Sequence, residues 1–312
     1  MKILFTGASS FTGCWFVREL AAAGHEVVAT FQRKLEDYSE PLRRERVMWA
    51  SQVSRPVFNC SFGDDRFLET IRQGGPWDIL CHHAANVTDY KSPDFNVNVA
   101  IAANSLNLTA VLRDLTESGC RGVVLTGSFF ENDEGAGSQD LPAVSPYGLS
   151  KGLTAQIFRY YTSIMGLHFA KFVIPNPFGP HEEPRFTTYL IRNWKEGKNL
   201  VVSTPAYVRD NIHVTLLAKA YTAFVATRPL GGASKLNPSG YVESQGAFAH
   251  RFASEMRPRL GCECPLTLKT QTEFSEPRVR LNTDVLDVSA LGWNECLAWD
   301  QIAEFYGNKI GT

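Results

Sequence analysis

The sequence lacks a charge imbalance: 31 Lys plus Arg stand against 32 Asp plus Glu in 312 residues, a formal net charge of −1. It also lacks any block of like charges, which removes the electrostatic footprint of a nucleic-acid or anionic-membrane binder and leaves small polyanions to a local site. No apolar run approaches the roughly eighteen residues of a membrane span, and the opening Met1-Lys-Ile-Leu-Phe-Thr-Gly7 is broken too soon for a signal-peptide core. The seven cysteines are an odd number, scattered from Cys14 to Cys296, which is the usage of a reduced compartment. Their one close pair, Cys262 and Cys264, has no second pair or nearby His, so no metal site is expected. These absences point to a soluble cytoplasmic protein without nucleic-acid, membrane or metal partners.

What is present is alternation. Ile3 to Phe5 and Val27 to Thr30 are apolar runs of strand length, separated by Thr12 to Ala23 with apolar residues at helical spacing and Gly24 as a stop. Val57-Phe58, Ile79 to Cys81 and Val123 to Leu125 read as further strands, with Phe67 to Ile71 and Val99 to Leu115 as helices between them. Glu36 to Pro56, rich in charge, reads as loop or short helix. This βαβ alternation predicts an α/β fold with a doubly wound parallel Rossmann sheet. A helix from Tyr147 to Gly166 and a strand over Phe169 to Ile174 are expected next, before Pro175-Asn-Pro-Phe-Gly-Pro180 breaks the pattern. A change of lobe is expected there. Residues 1–174 form the nucleotide-binding domain, to which 206–235 returns, and 175–312 form mainly a smaller α/β substrate lobe.

Thr6-Gly7-Ala8-Ser9-Ser10-Phe11-Thr12-Gly13 joins the first strand to the first helix. Gly7 permits a tight turn, the helix N-terminus offers unpaired N–H groups to a phosphate, and Gly13 lets helix and strand pack closely. A dinucleotide site follows, with Gly7, Ser9, Ser10, Phe11, Thr12 and Gly13 as candidate contacts. At the end of the second strand a carboxylate would bond the free ribose hydroxyls of NAD. The run Phe31-Gln-Arg33-Lys34 has none and offers two cations to a 2′-phosphate. NADP(H) is favoured, with NAD as the alternative; a solvated basic loop is the plainer account of the same residues.

Tyr147 and Lys151 stand four residues apart, one helical turn, so that an ammonium lies beside a phenol and lowers its pKa. Ser128, just beyond the Val123 to Leu125 strand, adds a hydroxyl able to bond a substrate oxygen. These residues resemble the extended short-chain dehydrogenase/reductase family, the nucleotide-sugar epimerases, dehydratases and reductases. The resemblance also covers His82-His83-Ala84-Ala85, Asn98-Val99, Asn176-Pro-Phe-Gly-Pro180, Val208-Arg209-Asp210-Asn-Ile-His213-Val214 and Leu291-Gly292-Trp293.

The resemblance implies Tyr147 as acid/base, Lys151 as its pKa-lowering and ribose-holding partner, and Ser128 as the residue orienting substrate. It implies that Ser61, Phe62, His83, Ala84, Ala85 and Asn98 lie on the cofactor side, with the two histidines as packing residues and Asn98 as a structural bridge. Asn176, Arg209 and one of Arg278 or Arg280 are implied as grips on a nucleotide diphosphate; a turn residue at Asn176 and a surface Arg209–Asp210 pair are the plainer accounts.

The chain departs from the family pattern at three places. Ser10 replaces a middle glycine, and its hydroxyl is placed to bond a phosphate oxygen. Thr215 replaces an Asp. Phe129-Phe130 follow Ser128 where sugar 4,6-dehydratases carry Asp and Glu, and phenylalanine transfers no protons. The Ser-Phe-Phe run resembles ketoreductases such as CDP-abequose synthase. With a cofactor site suited to NADPH, it points to reduction of a 4-keto-6-deoxy nucleotide sugar by a homodimer joined through the Tyr147 helix. A nucleotide-sugar 4-epimerase and an idle nucleotide-binding regulatory protein are the alternatives.

Overall fold

A computed structural model describes residues 1–137, 140–227 and 235–309. Two compact units are present, the first built from Met1–Glu134, Pro142–Ile174 and Ala218–Asn237, the second from Gly135–Leu141, Pro175–Leu217 and Pro238–Thr312. The return to the first unit therefore starts at Ala218, not at 206, because residues 208–213 form a strand of the second unit. Part of the expected return, 228–234, lies outside the described residues.

The first unit holds β1 (Lys2–Thr6), α1 (Phe11–Ala22), β2 (Glu26–Thr30), α2 (Pro41–Ser51), β3 (Arg55–Val57), α3 (Asp65–Gly74) and β4 (Ile79–His82). It continues with α4 (Val97–Asn104), α5 (Leu108–Glu117) and β5 (Gly122–Ser128). After β6 (Ala136–Gly137), which belongs to the second unit, come α6 (Pro146–Ile164) and β7 (His168–Ile174). The last part of α8 (Val214–Ala226) and β11 (Lys235–Leu236) complete it.

Its seven strands are parallel in the order β11-β7-β5-β4-β1-β2-β3, a doubly wound sheet. Strands covered on both faces need apolar side chains on both, which is why Ile3, Leu4 and Phe5 form an unbroken run, each 0% exposed. On one face Leu4, Leu80 and Val123 pack with Phe67, Leu112 and Phe158. On the other, Phe16 of α1 stacks on Tyr221 of α8 at 4.1 Å, and both rings meet Phe172 of β7.

One expectation needs correction, and another resolves to one of its two alternatives. The helix expected over Val99 to Leu115 is two helices, α4 and α5, because Asn107 adopts a left-handed conformation (φ 48°) and donates from its side chain to the Gly63 carbonyl. The stretch read as loop or short helix contains the eleven-residue α2. Glu40 caps it by accepting from Leu42 N and Arg43 N, Pro41 opens it, and Val47 and Ala50 are buried beneath its charged surface.

The second unit contains β8 (Asn176–Phe178), α7 (Phe186–Lys195), β9 (Leu200–Val202), β10 (Val208–His213), β12 (Pro238–Ser239), β13 (Tyr241–Ser244) and α9 (Gln245–Leu260). It ends with β14 (Leu266–Leu268), β15 (Val279–Leu281), β16 (Asp284–Val285) and α10 (Glu295–Lys309). β10 is the hub of a five-stranded sheet, pairing with β13, β15 and β8, while β6 pairs with β15. Phe178, Trp194, Phe252, Met256 and Trp299 fill its core.

Candidate active site

The turn between β1 and α1 is held by its own backbone. Gly7 has φ +82°, and a Cβ there would lie 2.7 Å from Ala84 N; one at Gly13 would lie 2.2 Å from Gly7 O. Ser10 caps α1, accepting from Gly13 N at 3.0 Å and donating to Gly7 O at 2.9 Å. Its hydroxyl is thus committed within the turn and does not point a free donor at a phosphate, contrary to expectation.

Behind the turn lies a neutral histidine network. Thr6 Oγ1 accepts from His83 N and Ala84 N, so its own hydrogen goes to His82 Nδ1, and His82 Nε2 donates to Asn104 O. Because Ser10 Oγ donates to Gly7 O, His83 Nε2 is the donor toward Ser10 and Thr12, and Nδ1 accepts from Thr126 Oγ1. Burial, with the charge of Lys151, pushes both imidazoles down to about 3.

Among the other cofactor-side candidates, Ala84 and Ala85 follow β4 half-buried, and Phe11 is buried at the start of α1. Ser61 is tied through its N–H to Asp64. Phe62 is a core residue: its ring lies 4.1 Å from that of His82 and 5.8 Å from that of Phe158, so its side chain is not free for a ligand. Arg33 and Lys34 are exposed just past β2. Asn98 is exposed on α4 and bridges nothing. The buried bridge is Asn104, 4% exposed, whose Oδ1 accepts from Asn86 N at 2.8 Å and whose Nδ2 donates to Thr154 Oγ1. In the sequence Asn104 falls in helical phase with Leu108, Val111, Leu112 and Leu115, although in the structure it ends α4 and they belong to α5. Arg43 of α2 was also missed; its Nη2 donates to Ser9 Oγ at 3.1 Å, thirty-four residues away in the chain.

Ser128 ends β5. Its Oγ accepts from Phe130 N at 3.3 Å, which leaves the hydroxyl hydrogen to donate elsewhere. On α6, Tyr147 meets the rings of Tyr90 and Phe95 edge-on, at 5.5 and 6.0 Å. Lys151, 4% exposed, donates to Thr126 O at 2.5 Å, anchoring α6 to the strand two residues before Ser128. Burial lowers its pKa to about 8; Glu131 opposes the shift and Lys171 reinforces it.

Glu131, 0% exposed, accepts from Ser128 N at 2.7 Å and pairs with Lys171 at 2.5 Å. Lys171 also pairs with Glu134 at 2.6 Å, and Glu134 in turn accepts from Lys235 and Asn237. Burial alone would raise the Glu134 carboxyl; Lys171, Asn237 and Lys235 outweigh it and hold the group below its ordinary range. Two carboxylates and two ammoniums thus balance beneath the serine turn.

In the second unit, Asn176 is exposed and its Nδ2 donates to Asn211 Oδ1 at 2.6 Å. Arg209 lies over the Tyr207 ring, pairs with Glu276 at 3.0 Å, and donates to the carbonyls of Val208, Pro277 and Arg278. Asp210 is not its surface partner: it is 0% exposed and accepts from Gly240 N and Asn282 N. Of the two alternative grips, Arg280 is 1% exposed, whereas Arg278 is exposed over the Phe274 ring. Thr215 rebuilds the local network by accepting from Trp293 Nε1 at 2.8 Å and donating to His213 Nδ1 at 2.7 Å. Burial holds His213 neutral, with its pKa pushed down to about 3.

A parallel doubly wound sheet with a glycine-lined first turn defines a dinucleotide-fold α/β protein. The chain matches the NAD dependent epimerase/dehydratase family over residues 3–235 and belongs to it, within the extended short-chain dehydrogenase/reductases that act on nucleotide sugars. A UDP-glucose 4-epimerase of Mycolicibacterium smegmatis is 25% identical over 334 aligned positions, covering 99% of each chain. The UDP-glucose 4-epimerase of Thermotoga maritima, solved with UDP-glucose, shares the fold with a TM-score of 0.72 and 17% identity over 99% of this chain and 100% of that one. A dTDP-glucose 4,6-dehydratase of Streptomyces venezuelae, solved with NAD, does so at 0.71 and 19%, over 100% and 98%.

Proposed function

We propose that the protein is a nicotinamide-dependent enzyme that interconverts C4 epimers of a nucleotide sugar through a 4-keto sugar. The observation that carries this is the anchoring of Lys151 to Thr126, which joins the Tyr147 turn of α6 to the strand that ends in Ser128. Full-length similarity to a UDP-glucose 4-epimerase supports the choice of reaction.

The chain's groups fit the cofactor: Gly7 and Gly13 leave no room for side chains in the turn, and the α1 N-terminus faces it with unpaired N–H groups. A nicotinamide held at this turn would supply reversible hydride exchange with C4. Tyr147 Oη, as phenolate, removes the proton of the C4 hydroxyl and gives it back once the keto sugar has presented its other face. Ser128 donates its free hydroxyl hydrogen to the same oxygen. Lys151 favours the phenolate, and two of its N–H groups remain for ribose hydroxyls. The nucleotide diphosphate falls to the second unit, where Arg278 is the exposed guanidinium and Arg209 is held beside it. Elimination of water has no agent here, since Phe129 and Phe130 carry no proton and Glu131 is committed to Ser128 N and Lys171.

A second reading, NADPH-dependent reduction of a 4-keto-6-deoxy nucleotide sugar, is favoured by Arg33 and Lys34 where an NAD site carries a carboxylate. In either case the exposed face of α6 serves as a homodimer surface. Incubating the purified protein with UDP-, dTDP-, CDP- and GDP-sugars without added cofactor decides the matter. A C4 epimer formed with no net change in nicotinamide absorbance supports the epimerase. In a second assay with added NADPH and a 4-keto-6-deoxy sugar nucleotide, stoichiometric NADPH oxidation supports the reductase; the absence of both outcomes sinks both readings.

A further inference from the structure

We propose that Glu131 is a positioning residue for the reaction, holding the backbone of Ser128 from a buried carboxylate that is itself anchored on Lys171. That role rests on the Ser128 and Tyr147 chemistry proposed above, in either of its two forms.

Ser128 stands where β5 runs out of neighbours on one side. β4 stops at His82, opposite Leu125, while β7 continues to Ile174, opposite Ser128. Phe129 N donates to Ile174 O at 3.1 Å, so the alternate residue, Ser128, directs its own backbone groups to the other side, beyond the end of β4. Polar groups left there need partners. Glu131 supplies both: its carboxylate Oε1 accepts from Ser128 N at 2.7 Å, and its own N–H donates to Ser128 O at 3.0 Å. The chain from Ser128 to Glu131 closes on itself as a turn, and a charged acceptor makes the side-chain bond a strong one.

A carboxylate is costly to bury without a partner, and Glu131 is 0% exposed. Its Oε2 accepts from Lys171 Nζ at 2.5 Å, and Lys171 lies on β7, the strand paired with β5. The carboxylate is therefore fixed to the sheet as well as to the turn that carries it. Gly127 leaves room for this arrangement: a Cβ there would lie 2.6 Å from Lys171 Cε and 3.0 Å from Glu131 Oε1. The same turn meets α6, where a Cβ at Gly148 would lie 2.2 Å from Phe130 O, and Val144 N donates to that oxygen at 2.9 Å. Gly148 directly follows Tyr147. One turn thus sets the serine hydroxyl relative to the phenol, and a hydroxyl displaced by about 1 Å loses much of its effect on a developing oxyanion.

Steady-state turnover of whichever nucleotide sugar reacts in the assays above, with amide exchange measured beside it on the full chain, tests this. Glu131→Ala should lower kcat about tenfold with KM changed less than about twofold, and should speed amide exchange at Ser128 about tenfold or more. In the Ser128→Ala background the same change should lower kcat by less than about twofold, because the group it positions is gone. The paired change Glu131→Gln, Lys171→Met offers Ser128 N an amide oxygen with no cation competing for it. That variant should keep kcat within about threefold of the unaltered chain, and it covers the case in which Glu131→Ala fails to fold. Equal kcat losses on Glu131→Ala in both backgrounds, an unchanged kcat beside faster exchange at Ser128, or a folded paired variant as slow as Glu131→Ala would overturn the role and leave the reaction standing. An unaltered chain that turns over no nucleotide sugar, while exchange at Ser128 still responds to Glu131→Ala, would remove the reaction and the role with it.

Discussion

The Lys151 ammonium and the Thr126 carbonyl are joined by a 2.5 Å hydrogen bond inside the first unit, and burial has brought the lysine's pKa down to about 8. On the proposed mechanism, the ammonium that assists Tyr147 is present below that pH and lost as the pH rises through it. We expect kcat/KM to fall above about pH 8 and Lys151→Met to lose about a hundredfold at neutral pH. A pH profile that stays flat to pH 10 would remove Lys151 from the chemistry. For stability the sign is the reverse: between about 8 and 10.5 the unfolded chain holds the proton that the fold has released, so this group's contribution grows with pH.

Asn104→Ala takes away an acceptor for the half-buried Asn86 N and a donor to Thr154 Oγ1. The cost should be about 1–3 kcal/mol in urea unfolding. Asn98→Ala, on an exposed face, should stay within about 0.5 kcal/mol. Equal effects of the two would show that the bridge carries no weight.

His82 and His213, each 1% exposed, are neutral in the fold, with pKa values pushed down to about 3 from the ordinary 6.5. Below about pH 6.5 the unfolded chain binds protons that the fold refuses, so stability falls as the pH drops toward 3. At pH 4.5 the loss is about 2–3 kcal/mol for each. One lies in each unit, and calorimetry should show both units destabilised together; a midpoint unchanged between pH 7 and 4.5 contradicts this.

Leu149, Leu153, Tyr160 and Ile164 are exposed on α6, with Tyr160 and Ile164 at 63% and 61%, while Ile157 and Tyr161 turn inward to the core. The outward set follows helical spacing and gives the proposed homodimer an apolar face. Sedimentation should find a dimer for the unaltered chain and a monomer for the double change Tyr160→Glu, Ile164→Glu. A monomeric unaltered chain sinks the idea.

The parallel sheet was legible because strands buried on both faces must be apolar throughout, and the first turn because only glycine tolerates the positions of Gly7 and Gly13. The positions of Tyr147, Lys151 and Ser128 on α6 and β5 followed from the same alternation. Other features depend on partners distant in sequence. Arg46 and Arg280 look like surface cations but are buried, and Arg43 meets Ser9 across the turn of another element. The second unit's strands are two to six residues long and pair across gaps of up to about 145 residues, as β6 does with β15, too short for periodicity to register. Asn98 drew attention by its neighbour Val99, whereas Asn104 was marked only by phase with a helix that begins after a break.

Beneath Ser128, Glu131 and Glu134 share Lys171, and Lys235 completes the balance. Loss of either partner of such a buried pair strands the other, at about 3–5 kcal/mol. Positions 131, 134 and 171 are therefore expected to change in descendants only in concert. A survey of close homologues should find the acidic pair and the lysine kept together or replaced together by uncharged residues, so that this hidden cluster marks lineage more reliably than the residues facing substrate.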